Sequence, residues 1–220
     1  MTTATAPHGS LMDTIYRRQR HIYDASRKYY LLGRDPMLAA LDPPAGGSVL
    51  EVACGTARNL IHTARLYPTT SCAGFDISRE MLATARETIE RAGLSSRITV
   101  AEADATAFDP QALFGRPAFD RVFLSYCISM IPVWREALDE ALRVTAPGGS
   151  VHVVDFGSAA GFPGVYQAGL KRWLASFHVT PRLDLPHVAA ELGEAHGAHV
   201  TYTQSPRGYV QTAVLKKPSS

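Results

Sequence analysis

The sequence predicts an α/β fold in three layers: a mostly parallel sheet between helices, closed by a C-terminal antiparallel hairpin. Three observations carry this. Short apolar runs alternate with amphipathic stretches across residues 48–155, and strands that alternate with helices pair in parallel through crossovers. Near the end, apolar runs at 199–204 and 209–215 are joined only by Ser205-Pro206-Arg207-Gly208, a link short enough for a hairpin. Asp42-Pro43-Pro44-Ala45-Gly46-Gly47 cuts a helical N-terminal segment off from this alternation.

Taken in order, residues 1–10 are small and polar, and are expected to be a disordered tail. Residues 11–41 follow a helical pattern rich in Tyr and Arg, a lid over the main domain at 46–217. Strand 48–53 is apolar from Val49 on except for Glu51, as a strand buried on both faces should be. Helix 58–66, strand 71–75, helix 78–92 and strands 98–102 and 121–125 continue the alternation, followed by helix 134–144. Pro147-Gly148-Gly149 turns the chain into strand 150–155. Residues 161–176 form a separate amphipathic stretch within an insertion at 160–182 that faces substrate or membrane.

Composition excludes several functions. The chain has 220 residues, 46% of them hydrophobic, and a formal charge of +2. That length suits one domain with a short extension, and so small a charge argues against a bulk nucleic-acid binder. With no run of about 18 apolar residues, no membrane span is expected. The N-terminus lacks the basic-then-apolar order of a signal peptide. Cys54, Cys72 and Cys127 are an odd set without metal-ligand spacing, which fits reduced thiols in a cytoplasmic protein and no metal.

The chemistry gathers at the carboxyl ends of the strands, where open α/β sheets bind ligands. Glu51-Val52-Ala53-Cys54-Gly55-Thr56-Ala57-Arg58-Asn59 leads from strand to helix through small residues. Gly55 allows a positive φ and close approach of a ligand, and the helix start offers unpaired N–H groups. A pyrophosphate cradle needs G-x-G-x-x-G. With a single glycine here, a ligand carrying a carboxylate and a ribose but no phosphate fits better. Asp76 ends the second strand 25 residues after Glu51, where an acid accepts both ribose hydroxyls. Asp104 ends the third and is placed to accept an adenine amino N–H, with the Ala105 N–H near a ring nitrogen. Ser125-Tyr126-Cys127-Ile128-Ser129-Met130-Ile131 adds polar and aromatic groups to the same edge. Each feature has a plainer reading: a lone Gly is an ordinary turn, and a lone Asp a helix cap. Phe108-Asp109 and Phe119-Asp120 read as caps or turns. Acids ending three successive strands behind a small-residue turn are more specific together.

Glu51-x-Ala53-x-Gly55, Asp76, Asp104-Ala105, Leu142-Arg143-Val144-Thr145-Ala146-Pro147-Gly148-Gly149 and the closing hairpin resemble the class I S-adenosylmethionine-dependent methyltransferases. The resemblance covers about residues 48–215, with Ala53 and Ala57 standing where that family usually has glycine. It implies a Rossmann-like sheet, S-adenosylmethionine as cofactor and S-adenosylhomocysteine as product. The cofactor site it implies is Tyr23, Tyr30, Arg34, Glu51, Ala53, Cys54, Gly55, Thr56, Asn59, Asp76, Ile77, Met81, Asp104, Ala105, Ser125 and Tyr126.

The acceptor is read from the N-terminal segment. Tyr16, Arg20, Tyr23, Arg27 and Tyr30 recur at spacings of four and three, so they share one helical face. Packing over the sheet edge is the plainer account; Tyr alternating with Arg also suits a pocket for a cation and a carboxylate. This segment resembles the diacylglyceryl-homoserine N-methyltransferases of betaine-lipid synthesis. So do Ala53-Cys54-Gly55-Thr56-x-Arg58-Asn59-Leu60, Asp155-Phe156-Gly157, Trp173-Leu174-x-x-Phe177-His178-Val179-x-Pro181-Arg182 and Arg207-Gly208-Tyr209. That resemblance implies three methyl transfers to a homoserine amine, giving diacylglyceryl-N,N,N-trimethylhomoserine. Tyr126, Asp155 and His178 are then candidates to take the amine proton, with loss to water as the alternative; a lone His178 is more often structural. Tyr16, Tyr23, Tyr30 and Tyr126 would surround the cation, and Arg20, Arg182 and Arg207 would hold the carboxylate.

Val165, Gly169, Trp173 and Phe177 fall four apart, flanked by Lys171 and Arg172. Such a helix lies in a bilayer headgroup region or packs on the sheet as a crossover. The expectation is a cytoplasmic enzyme peripheral to the inner face of the membrane. It would meet a lipid substrate, associate with the enzyme that makes that lipid, and bind no nucleic acid, since no N/D-P-P-Y type of motif follows the fourth strand. The alternatives are a methyltransferase for a soluble amine or quinone-type molecule, and a non-catalytic S-adenosylmethionine-binding subunit.

Overall fold

The computed structural model describes residues 31–219. Tyr16, Arg20, Tyr23 and Tyr30, and with them most of the lid reading and the proposed tail, lie outside the described residues. The described chain runs α1 (Arg34–Ala39), β1 (Ser48–Val52), α2 (Arg58–Leu66), β2 (Ser71–Asp76), α3 (Arg79–Arg91) and β3 (Ile98–Glu102). It continues through α4 (Pro110–Phe114), β4 (Phe119–Ser125), α5 (Trp134–Arg143), β5 (Thr145–Phe156) and α6 (Gly164–Ser176). It ends with α7 (Leu185–Ala195), β6 (His199–Gln204), a 3₁₀ turn at Pro206–Gly208 and β7 (Val210–Lys216).

The seven strands form one sheet in the order β3-β2-β1-β4-β5-β7-β6. Pairing is parallel from β3 to β5, and β7 runs antiparallel between β5 and β6. Alternate residues of each strand feed opposite faces: Leu50, Val122 and Leu124 pack toward α5 and α7, while Val49 and Phe123 pack toward α1, α2 and α3. Covered on both sides, β1 is buried at every residue. The order reverses direction between β1 and β4, and the crevice outside their carboxyl ends is where such sheets take ligands.

Several expectations change in detail. Within the described part of the 11–41 segment, Gly33, at φ 84°, caps α1 as a short helix. Asp109 caps α4, accepting from the Gln111 and Ala112 N–H groups, as read. Asp120 is not a cap; it lies in β4 and accepts from the Ser48 N–H and hydroxyl at 2.8 and 2.7 Å. Helix α7 escaped the sequence reading because Pro186 and Gly193 interrupt its apolar pattern.

Candidate active site

The turn after β1 is built from three left-handed residues in alternation: Ala53 (φ 54°), Gly55 (φ 52°) and Ala57 (φ 62°). A non-glycine residue costs about 1–2 kcal/mol in this conformation, which Ala53 and Ala57 bear within the closed turn. The Cys54 N–H bonds the Phe75 carbonyl at 2.9 Å, and the Ala57 N–H bonds the Cys54 carbonyl at 3.0 Å, closing the coil. A Cβ added at Gly55 would meet nothing within 4 Å; that side of the turn is open.

Two acids brace the turn. Glu51 is buried at the end of β1, and its Oε1 accepts from Asn59 Nδ2 at 2.7 Å. Asp76 accepts the Gly55 N–H on Oδ2 and the Ser78 N–H on Oδ1, each at 2.9 Å. Asp76 thereby fixes the turn from the tip of β2. Past β3, Asp104 Oδ1 accepts from the Thr106 N–H and hydroxyl, both at 2.8 Å.

These residues line one cavity of about 490 Å³. It brings together Arg34, Glu51, Ala53, Cys54, Gly55, Thr56, Asn59, Asp76, Ile77, Met81, Asp104, Ala105, Ser125, Tyr126, His178 and Arg182 from the sequence-predicted set. It does not include Asp155 or Arg207. The wall formed by Met130, Ile131, Pro132 and Val133, and the contributions of Leu31, Ser129 and Thr180, were not singled out residue by residue; the signal available was the 125–131 run as a block.

Tyr126 is held in a strained state. Its φ is 54°, rare for a bulky residue and sustained only where the surroundings over-determine it. Here its N–H bonds the Val154 carbonyl at 2.8 Å, its hydroxyl donates to the Leu32 carbonyl, and its ring packs edge-on to Phe156 at 4.7 Å. Burial, then the nearby Asp155 charge, pushes its hydroxyl well above the usual tyrosine range, which makes Tyr126 a fixed aromatic wall and a poor proton acceptor.

Asp155 lies behind the cavity, fully buried. Its oxygens accept the Ser129 N–H at 3.0 Å and the Phe156 N–H at 2.7 Å. Burial pushes it up to about 6, against the lowering pull of Ser129, the Phe156 N–H and Arg182. It does not line the cavity but holds the lining residue Ser129, so its geometry is that of a positioning residue.

His178 ends α6 in a left-handed conformation (φ 58°). The Val179 N–H bonds the Leu174 carbonyl and the His178 N–H the Ala175 carbonyl, both at 3.1 Å, the Schellman pattern in which glycine is preferred at this position. An exposed histidine stands there instead, on the cavity lining. Just beyond, Thr180 N–H bonds the Ser129 carbonyl at 2.9 Å, and Arg182 donates to the Ile128 and Ile131 carbonyls at 3.1 and 2.9 Å. Arg182 is thereby a clamp on the 128–131 wall as well as part of the lining. Arg207 turns elsewhere: its guanidinium lies 5.2 Å over the Phe162 ring.

The open turn, the acid at the tip of β2 and Asp104-Ala105 fit a nucleoside with an amino-acid tail. Among the described residues no cluster of three or more His, Cys, Asp or Glu side chains could hold a metal ion, and no helix is long and apolar enough to cross a membrane.

Comparison with known proteins bears on the same region. A family model described as a methyltransferase domain matches residues 49–149. A demethylmenaquinone methyltransferase from Mycolicibacterium paratuberculosis is 30% identical over 94% of this chain and 80% of its own length. A phosphatidylethanolamine N-methyltransferase from Cereibacter sphaeroides is 36% identical over 50% of this chain, a match spanning only about half (51%) of that relative. The structure of phosphoethanolamine N-methyltransferase 2 from Haemonchus contortus, in complex with S-adenosyl-L-methionine, shares the fold, with a TM-score of 0.74 at 16% identity over 99% of this chain and 61% of that one.

Proposed function

The chain belongs to the class I S-adenosylmethionine-dependent methyltransferases, and from that premise we propose that its acceptor is the amine of diacylglyceryl-homoserine, methylated three times to the betaine lipid. The observation that carries this reading is the composition of the cavity wall away from the turn. It combines an aromatic face (Tyr126), the guanidinium groups of Arg34, which also pairs with Asp35 at 2.9 Å, and of Arg182, which also clamps the 128–131 wall, and an apolar rim (Leu31, Met130, Ile131, Pro132 and Val133). An acceptor with a cation, a carboxylate and an apolar body is complementary to that set.

S-adenosylmethionine supplies a methyl group on a sulfonium, transferred by in-line displacement. The turn at Ala53–Ala57 and Asp76 would hold its amino-acid and ribose parts, and Asp104 with Ala105 its adenine. The chain's own task is then positioning. The acceptor amine has to be neutral to attack, and the apolar wall disfavours its charged form. The proton that the ammonium form loses before each transfer passes to His178 or to water; Tyr126 is committed to Leu32, and Asp155 lies behind Ser129. The quaternary product keeps no N–H, so an aromatic face, worth about 0.5–2 kcal/mol per ring, is what remains to hold it.

The test is incubation of the full chain with labelled S-adenosylmethionine and diacylglyceryl-homoserine in detergent micelles. Label should appear in mono-, di- and trimethylated lipid, and no label in the lipid sinks the reading. Replacing Tyr16, Tyr23 or Tyr30 with Leu should slow the last transfer most. A second reading, a quinone-type acceptor methylated on carbon, is favoured by the length of the match to the demethylmenaquinone methyltransferase. It predicts label in a demethylquinone and none in the amine.

A further inference from the structure

We propose that the carboxyl edge of the sheet, with α6 laid across it, is a docking face for an anionic lipid bilayer. The inference rests on the lipid-acceptor reading and names the surface on which that acceptor would be met.

Helix α6 is not packed like a crossover. Of its 13 residues only Leu174 is buried, whereas the shorter α5 and α7 each bury five. Both of its ends are tied to the same edge of the sheet. Before it, the Gly157, Ala159 and Gly161 N–H groups bond the carbonyls of Tyr209, Gly208 and Arg207 at 2.8, 2.8 and 3.1 Å. After it, the chain enters the cavity lining at His178 and Thr180. The helix therefore spans from the β6–β7 turn to the cavity mouth, with one side turned outward.

That outward side is apolar. Val165 is 88% exposed, and Tyr166 and Trp173 are exposed large apolar residues beside it. Val165, Gly169 and Trp173 are spaced four apart, and Tyr166 and Trp173 seven apart, so they lie along one stripe. The rings are braced from below: Phe162 stacks on Tyr166 at 4.5 Å, and Phe177 meets Trp173 at 5.1 Å. The rest of the edge matches. Leu32, Ile77, Val133 and Leu183 are exposed at the carboxyl side, and Ile77 and Val133 also line the cavity. Among the described residues, the exposed large apolar side chain away from this edge is Leu66, at the far end of α2. An apolar patch gathered on one edge marks an interaction surface.

Charge selects the occupant. Helix α6 carries exposed Lys171 and Arg172 and no acid, while the exposed acids of the same edge, Asp35, Asp104 and Asp184, lie off the helix. Aromatic and aliphatic side chains rimmed by cations suit the boundary of an anionic bilayer, where rings sit at headgroup level and basic residues meet lipid phosphates. With the cavity opening on the same edge, a lipid headgroup would enter the site while its acyl chains stay in the membrane.

The test is co-sedimentation of the full chain with phosphatidylglycerol–phosphatidylcholine vesicles and with pure phosphatidylcholine vesicles. Binding should favour the anionic vesicles and weaken with salt. A double change of Val165→Asp and Trp173→Ala should weaken it about tenfold or more, and Lys171→Glu with Arg172→Glu should remove the anionic preference. S-adenosylhomocysteine affinity, measured by calorimetry, should be unchanged in both variants, which controls for folding. Absence of vesicle binding by the parent chain overturns the proposal. So does equal binding by both variants, or an effect of the double change confined to self-association or to capture of a protein. The docking variants should methylate the acceptor in micelles as the parent does and fail on vesicles. If the parent binds vesicles but labels no lipid in micelles, the acceptor reading fails and the docking face stands. If it labels lipid in micelles without binding vesicles, the reverse holds.

Discussion

Asp155→Asn separates the charge of a buried carboxyl from its hydrogen bonds. Asp155 is fully buried between β4 and β7, and both its oxygens accept backbone N–H groups. A carboxyl that titrates near 6 in the fold, against 3.8 ordinarily, costs about 3 kcal/mol to ionise there. Between those two values the folded chain holds a proton that the unfolded chain has released, so this group's contribution to stability is lost as pH rises. Asparagine does not titrate. It also replaces one accepting oxygen by an amino group, and the backbone N–H left unpaired costs about 1–3 kcal/mol at every pH. The stability of the variant relative to the parent should therefore move by about 2.5 kcal/mol in the variant's favour between pH 4 and pH 8, whatever its absolute value. His152 titrates in the same window but is common to both proteins and cancels. Urea unfolding at a series of pH values measures the difference, and a value constant within about 0.5 kcal/mol would refute the argument. Because Asp155 does not line the cavity and its hydrogen bond to the lining is made to Ser129, cofactor affinity should change little while turnover falls with the displaced 128–131 wall.

Three further outcomes follow from the same geometry. Asp76→Ala removes the acceptor at the tip of β2 and unpairs the Gly55 and Ser78 N–H groups. S-adenosylhomocysteine binding should weaken by about 2 kcal/mol or more, roughly thirtyfold, and unchanged affinity by calorimetry would count against the cofactor site. His178→Gly should stabilise the fold by about 0.5–1 kcal/mol, since glycine is the residue this helix stop prefers, yet slow methyl transfer; unaltered turnover would leave His178 as a helix stop alone. His152 is buried, bonded to Ser150 Oγ at 2.8 Å, and pushed down to about 4 by burial and then by Arg121. Its depressed value means that stability is lost as pH falls from 6.5 to 4, by about 3 kcal/mol. His152→Gln should flatten that limb in unfolding experiments, and an unaltered limb would place the acid sensitivity elsewhere.

What the sequence determined by itself was the alternation of elements and the chemistry of the strand ends. A strand buried on both faces must be apolar along its length, so β1 stands out as a run, whereas β3 at the sheet edge is only partly covered, and the turn at Ala53–Ala57 stands out as a cluster of small residues behind β1. Asp76 and Asp104 were legible because a strand end is fixed once the strand is fixed. The tertiary structure decided whatever depends on direction in space. Asp155 is one residue from the end of β5, and only the packing of β4 and β7 around it puts it behind the cavity rather than in it. Arg207 and Arg182 look alike as candidate ligands for a carboxylate, but a hairpin turn aims one at Phe162 while the loop after α6 clamps the other to Ile128 and Ile131. The apolar spacing of α6 was visible, yet periodicity says only which residues share a side. Which side meets the protein and which is left outward depends on anchors more than thirty residues away, at Arg207 and Ser129, because a helix laid across a sheet edge has a single face to bury.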